Sequence, residues 1–376
     1  MRFVCIVLLS LFSYATAHAA DSLPRAPDAP ARAWLLMDND SGQVLTARNA
    51  ETPVPPASLT KLAVAYVLFQ RLRDGSLRLT DRVTVSARAA DTKGASMFLR
   101  PNEELSVEEL MKGMLIVSAN DATVALAEHV AGSEATFVGL MNATASNLGL
   151  LRTHFVSTNG LPIAGHVSSA HDLARLASAL LHEFPQYQAW FATKDFTHNG
   201  IRQFNRNALL WRDASVDGVK TGHTREAGYC LVGTAKRGSM RLIAVVLGAN
   251  DENSRWVAAQ QLLDYGFRNF ETRLLYAAHT SVTQVRVWMG DRSTLELGPT
   301  HDLYLTLPRG WHERARVRLT VKNDQTAPIY ANQSIGALAV DLDRDPIAEY
   351  PLVALNDVGR GNIFQRTADH VRRWLQ

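Results

Sequence analysis

VDGVKTGHTREAGYCLVGTAKRGSMRLIAVVLG, residues 216–248, holds three short apolar runs, 216–221, 228–235 and 240–248, separated by two glycine-containing turns. Runs of this length joined by tight connections predict antiparallel neighbours in one sheet. Working outward, Ala33–Met37 and Gln43–Ala47 flank the turn-rich Asn39-Asp40-Ser41-Gly42 and predict a hairpin. Apolar residues at Leu62, Ala65, Tyr66 and Phe69 recur with a helical period, which predicts a helix over 59–72. Further helices are expected at 107–116, 122–130, 134–148 and 170–181, and one from Ser254 to Phe267 closes the unit. Strands and helices in this order predict an α/β fold, an antiparallel sheet covered by helices on both faces.

The texture changes near residue 272. Val285–Trp288, Leu303–Leu307 and Val317–Val321 alternate as half-buried strands, without helical periods between them. A small all-β domain over 273–355 therefore follows a first domain over 20–272. Asn362–Gln376 reads as an amphipathic helix, with Ile363, Phe364, Val371, Trp374 and Leu375 on one side and Arg366, Arg372 and Arg373 on the other. It is too short to cross a bilayer, and its character suits an anionic membrane surface.

The start of the chain reads as an export signal over 1–19. Arg2 precedes an apolar run from Val4 to Phe12, and Ala17-His18-Ala19 places small residues around a cut after Ala19, with Ala20 the next candidate. Losing Arg2 takes the formal net charge from +3 to +2, so no nucleic-acid partner is expected. Of the two cysteines, Cys5 leaves with the leader. Cys230 stands alone in a predicted strand and reads as a buried, inert thiol.

Three short motifs carry the chemistry. Ser58-Leu59-Thr60-Lys61 heads the first long helix, and a spacing of three sets the lysine amine one turn from the serine hydroxyl. A serine hydroxyl is a poor nucleophile until a neighbour takes its proton, and a lysine whose pKa is lowered by burial or a second cation can do so. Alone the motif is weak, since Ser58 then reads more simply as a helix N-cap. Ser118-Ala119-Asn120 falls at a junction of helices, where Ser118 can relay a proton and Asn120 can hold an amide; its plain alternative is a capping pair. Lys220-Thr221-Gly222 ends a strand and continues into His223; Lys220 offers a positive charge, and Gly222 leaves room for a substrate backbone beside the strand edge.

Ser-x-x-Lys, Ser-x-Asn and Lys-Thr-Gly, in that order, form the set found in penicillin-binding proteins and class A β-lactamases. The chain resembles the low-molecular-mass penicillin-binding proteins of the D-alanyl-D-alanine carboxypeptidase family. The likeness extends to Ser118–Ala122, Val216–Thr224, Asn205-Arg206-Asn207 with Leu209-Leu210-Trp211, and Leu262–Phe267. It implies a penicillin-binding/β-lactamase-like fold, a β-rich second domain and a C-terminal amphipathic helix at the inner membrane of the periplasm. It also implies that Ser58 is acylated by stem peptides ending in D-Ala-D-Ala and by β-lactams, that Lys61 is the base, and that Ser118 assists proton transfer. By the same likeness Arg255 and Thr221 meet the terminal carboxylate, Arg206 supports the site, and the backbone N–H groups of Ser58 and His223 form the oxyanion hole. One departure is Asn159, where some relatives carry a histidine.

Three rivals share parts of this pattern. A class A β-lactamase needs a glutamate for deacylation, and residues 135–182 contain none. A D,D-endopeptidase would cleave cross-links with the same residues. A non-catalytic penicillin sensor or wall-binding module would not need the full set. His166 and His171 lack a third ligand at metal spacing, so they read as loop and helix-start residues; no metal or cofactor is expected. Arg314, Arg316 and Arg318 alternate along a strand and read as a solvated face.

Overall fold

Five strands form the central sheet: β1 (Ala33–Asp38), β2 (Val44–Arg48), β3 (Val216–Thr224), β4 (Gly228–Arg237) and β5 (Met240–Ala249). Their order is β2-β1-β5-β4-β3, antiparallel throughout. These assignments come from a computed structural model that describes residues 25–322 and 324–375. The export signal over 1–19 and its cut lie outside the described residues.

Alternation along the strands gives the sheet two apolar faces. Leu35, Met37, Ile243, Val245 and Leu247 enter one core cluster, and Trp34, Leu36, Leu242, Ala244 and Val246 enter the other. Five residues on each side, set at period two, account for helices on both faces. The first face is covered by α1 (Lys61–Arg73), α2 (Asn120–Ala131), α3 (Glu134–Asn147) and α4 (Ala170–Glu183); the second by α5 (Glu252–Asn269). The α/β expectation and the order of the strands and helices named from the sequence are as predicted, while several boundaries differ.

Helix α1 is buried at every position from Lys61 to Phe69, so its apolar residues wrap its whole circumference, as befits a central helix. A short 3-10 turn, Ala57–Thr60, feeds it, so Ser58 lies inside a turn and caps no helix. The helix expected over 107–116 divides: an α-helical stretch, Val107–Lys112, passes into a wider π turn, Gly113–Val117. Gly113 permits this close packing, since a Cβ there would lie 2.5 Å from Met97 Sδ.

Beyond α5 the chain is β-rich. Phe270–Tyr276 (β6) pairs with Leu303–Pro308 (β9), and the other strands, β7 (Thr283–Trp288), β8 (Thr294–Gly298), β10 (Ala315–Val321), β11 (Gln325–Thr326), β12 (Ser334–Leu342) and β13 (Asp345–Ala354), form a six-stranded sheet. Their inward residues, among them Val287, Leu297, Leu305, Leu338 and Leu352, form a third cluster. On the exposed strand β10, Arg316 and Arg318 alternate and Arg318 pairs with Asp341, a solvated face as expected, whereas Arg314 lies in the 3-10 turn just before the strand and pairs with Asp343. Helix α6 (Ile363–Trp374) closes the chain, capped by Asn362.

Asp38 joins the two parts. Its buried carboxylate accepts hydrogen bonds from the Ser41 N–H and Oγ, both at 2.8 Å, and from Thr272 Oγ1 at 2.6 Å. Replacing Asp38 by Ala strands those donors, and is expected to lower stability by about 2–4 kcal/mol. The check is a fall in the urea midpoint with an unchanged slope; an unaltered midpoint would show that the contact contributes nothing.

Candidate active site

Ser58, Ser118, Asn120, Asn159, Arg206, Thr221, His223 and Arg255 line one cleft, although they come from segments spread over almost 200 residues. Lys61 and Lys220 lie buried beneath it, 0% and 3% exposed. Every site residue expected from the sequence is thus at the cleft or under its floor.

The amine of Lys61 organises the centre. Its Nζ is 2.7 Å from Asn120 Oδ1, 3.0 Å from the Asn159 carbonyl and 3.2 Å from Ser58 Oγ. Burial, aided by the Arg206 guanidinium and opposed by the Asp121 carboxylate, draws its pKa down to about 7. Near neutral pH a large share of this lysine is therefore an uncharged base.

Ser118 ends the π turn in a left-handed conformation, φ +67°. Such a backbone is unfavourable for serine and aims its side chain away from the helix path. Its Oγ is buried and makes no hydrogen bond among the described residues, which excludes the capping reading. Asn120 opens α2 and is fixed by its Nδ2 donating to the Lys93 carbonyl at 2.7 Å. The neighbouring Asp121 accepts from Ser96 Oγ, the Met97 N–H and the Leu99 N–H, which moulds the cleft wall around Gly94 and Ala95.

Strand β3 is an edge strand, and it runs beside the nucleophile turn. A Cβ on Gly222 would sit 3.0 Å from the Pro56 carbonyl and 3.1 Å from the Ser58 nitrogen, so glycine lets strand and turn approach. Lys220 donates to the Thr221 carbonyl at 3.1 Å; burial, then Lys61, Arg206 and Arg255, push its pKa well down. The His223 ring lies on Tyr229, with centroids 4.0 Å apart, while its backbone stays on the strand edge. Arg255 is buried at the cleft end, using Nη2 to reach Glu252 Oε1 at 2.7 Å and the Arg206 carbonyl at 3.3 Å. The arrangement offers a hydroxyl beside an amine of lowered pKa, a second hydroxyl with no hydrogen bond among the described residues, and cations gathered at one end.

Comparison with known proteins agrees with this geometry. Residues 20–251 match the family described as D-alanyl-D-alanine carboxypeptidase, and residues 270–360 match the penicillin-binding protein 5 C-terminal domain. The chain belongs to the D-alanyl-D-alanine carboxypeptidase family. It is 44% identical to D-alanyl-D-alanine carboxypeptidase DacC of Escherichia coli over 96% of this chain and 92% of that one. Penicillin-binding protein 5 from Haemophilus influenzae superposes with a TM-score of 0.85 at 39% identity, covering 90% of this chain and all of the other. Penicillin-binding protein D2 from Listeria monocytogenes, in its ampicillin-bound form, gives a TM-score of 0.58 at 32% identity, over 65% of this chain and all of that one.

In this carboxypeptidase-family chain, two features escaped the reading of residue types. The Asn159 carbonyl, a backbone group, supplies one of the three contacts of the Lys61 amine. Glu134 accepts from the Thr158 N–H at 3.0 Å and its Oγ1 at 2.8 Å, which holds the loop that carries Asn159. The visible signal is Gly160, at φ +81°, whose absent Cβ would lie 2.0 Å from the Ala57 carbonyl. Cys230 is buried and burial pushes its thiol up to about 11, so it is inert as expected.

Gly160→Ala must displace the Ala57 carbonyl beside the nucleophile. We expect acylation by benzylpenicillin to slow by about 10-fold or more, since misplacements of an ångström weaken catalysis on this scale. Stopped-flow acylation rates check it, and a wild-type rate would show that the turn yields freely.

Proposed function

We propose that the protein is a serine-type D-Ala-D-Ala carboxypeptidase that removes the terminal D-alanine from peptidoglycan stem pentapeptides through a Ser58 acyl-enzyme. The observation that carries this reading is the surroundings of the Lys61 amine. A neutral amine has two N–H groups and one lone pair. Asn120 Oδ1 and the Asn159 carbonyl can take only N–H groups, so the lone pair is left for the third neighbour, Ser58 Oγ at 3.2 Å.

In the proposed sequence Ser58 Oγ attacks the carbonyl carbon of the penultimate D-alanine while Lys61 takes the hydroxyl proton. The carbonyl electron pair moves onto its oxygen, which the N–H groups of Ser58 and His223 receive. Collapse breaks the C–N bond, and Ser118 Oγ delivers the proton that the leaving amine needs, regaining one from Lys61. Arg255 and Thr221 hold the free carboxylate, with Arg206 at the mouth of the cleft and Asn120 on the peptide amide; Lys220 adds positive charge from beneath. A water then attacks the ester and frees Ser58. Asn159 Oδ1 is engaged within its own loop, accepting from the Leu161 N–H at 2.9 Å, so we assign Lys61 as the base in this step too. Cations at the end where a free carboxylate would lie favour carboxypeptidase over D,D-endopeptidase activity.

β-Lactams enter by the same attack and keep their leaving amine tethered, so a stable adduct is expected. Intact mass spectrometry should show the gain of one drug molecule, mapped to Ser58; Ser58→Ala should abolish it, and Lys61→Ala should nearly do so. Because the base works only when unprotonated, acylation should rise with pH through about 7 and fall about tenfold per unit well below it. No adduct, or one elsewhere, would overturn the assignment; a flat pH profile would remove Lys61 as base.

We further propose export to the periplasm and peripheral attachment to the inner membrane through α6. Among the described residues no helix is long and apolar enough to cross a membrane. Helix α6 is held on one side by Asp369, which accepts from the Met289 N–H at 2.7 Å, and leaves Phe364 82% and Trp374 86% exposed. That outward stripe supports an interfacial role over simple packing on the β domain. Deleting 362–376 should move the protein from membranes to the soluble periplasmic fraction with peptidase activity retained; unchanged fractionation would refute the attachment.

A further inference from the structure

His166 has no part in this scheme, yet it is buried, fully bonded and one side chain from the nucleophile turn. Its Nε2 lies 2.8 Å from Thr60 Oγ1, and Thr60 Oγ1 donates to the Ala57 carbonyl at 2.7 Å. A hydroxyl has one proton. With that proton given to Ala57, Thr60 can only accept from His166. The other ring nitrogen, Nδ1, accepts from the Val156 N–H at 3.0 Å and faces the Ser157 N–H at 3.3 Å. Both ends demand one species, the neutral imidazole with its proton on Nε2. Burial supplies it, drawing the ring's pKa down to about 4 with a smaller push from His154.

What this chain of bonds holds is the peptide that matters most. The Ala57 carbonyl and the Ser58 N–H belong to one planar trans unit and point in opposite directions, so fixing one aims the other. Ala57 is fully buried at φ +49°, a left-handed conformation that alanine avoids without constraint. Gly160 closes over the same carbonyl, where even a Cβ would collide. From its other nitrogen His166 also fixes the start of the loop whose Asn159 carbonyl meets Lys61.

We propose that His166 is a positioning residue for acylation: through Thr60 it pins the Ala57–Ser58 peptide and aims the Ser58 N–H at the developing oxyanion, while through Val156 it sets the loop that holds Lys61. The inference rests on the Ser58 acyl-enzyme reading. It is tested by benzylpenicillin acylation of the full chain carrying His166→Phe, His166→Gln, Thr60→Val, Thr60→Ser, or His166→Phe with Thr60→Val. His166→Phe and Thr60→Val should each lower the acylation rate constant by about 10- to 100-fold, with the noncovalent dissociation constant changed by less than about threefold. His166→Gln keeps one donor and one acceptor, and Thr60→Ser keeps the hydroxyl; both should recover most of the rate. The double variant should be no slower than the slower single one, because both break the same chain of bonds. Wild-type rates in His166→Phe and Thr60→Val, no recovery in Gln and Ser, or additive losses in the double variant would each overturn the proposal. If His166→Phe does not fold, the Thr60→Val and Thr60→Ser pair decides, and equal rates overturn it. A wild-type chain that forms no adduct would bring down the acyl-enzyme reading itself; a reactive wild type with equally reactive variants brings down only this one.

Discussion

A primary amine shut away from water keeps its place only where its N–H groups find acceptors, and it gives up its charge when they cannot repay the loss of hydration. Lys61 meets both conditions at once. Its contacts come from three segments: the nucleophile turn, the first residue of α2 and the loop at Asn159. None of these can move without leaving a buried polar group unpaired, so the amine ties the cleft together as firmly as it enables the chemistry. Much of the surrounding architecture serves this one nitrogen: the all-round apolar α1 that buries it, Glu134 that steadies the loop, and Asp121 that shapes the wall.

Around that centre the cations crowd. Lys61, Lys220, Arg206 and Arg255 influence one another, and burial lowers the pKa of three of them. A site of this kind is unfavourable for the empty protein and favourable for an anionic guest, whose carboxylate relieves the repulsion. The apolar clusters on both faces of the sheet offset that local instability, and they lie where helices and strands, not loops, set the positions.

The sheet and its helices were legible because their periods are strong. The short apolar runs between glycine-containing turns at 216–248 and the helical recurrence from Leu62 to Phe69 leave little choice of element. The Ser58, Ser118 and Lys220 motifs were legible because function here depends on residue type at fixed spacing. The π turn at Gly113–Val117 was not, since an apolar run reads as continuing helix until Met97, distant in sequence, packs against Gly113. The Asn159 carbonyl was invisible for a different reason: a backbone oxygen has no letter of its own. His166 was visible as a letter, but its partner Thr60 lies 106 positions away, and only the folded chain joins them.

The sheet also joins the two ends of its own unit. Leu35 on β1 pairs with Val245 on β5, and most of the machinery, from Ser58 to His223, lies between them along the chain, with Arg255 just beyond. Closing so long a loop costs entropy that must be spent before any contact rewards it. Until then Lys61 is an ordinary solvated amine and Ser58 an ordinary alcohol. Reactivity is therefore not carried by the polymer but switched on by topology. An unfolded chain carries a silent serine, and the fold alone makes it reactive.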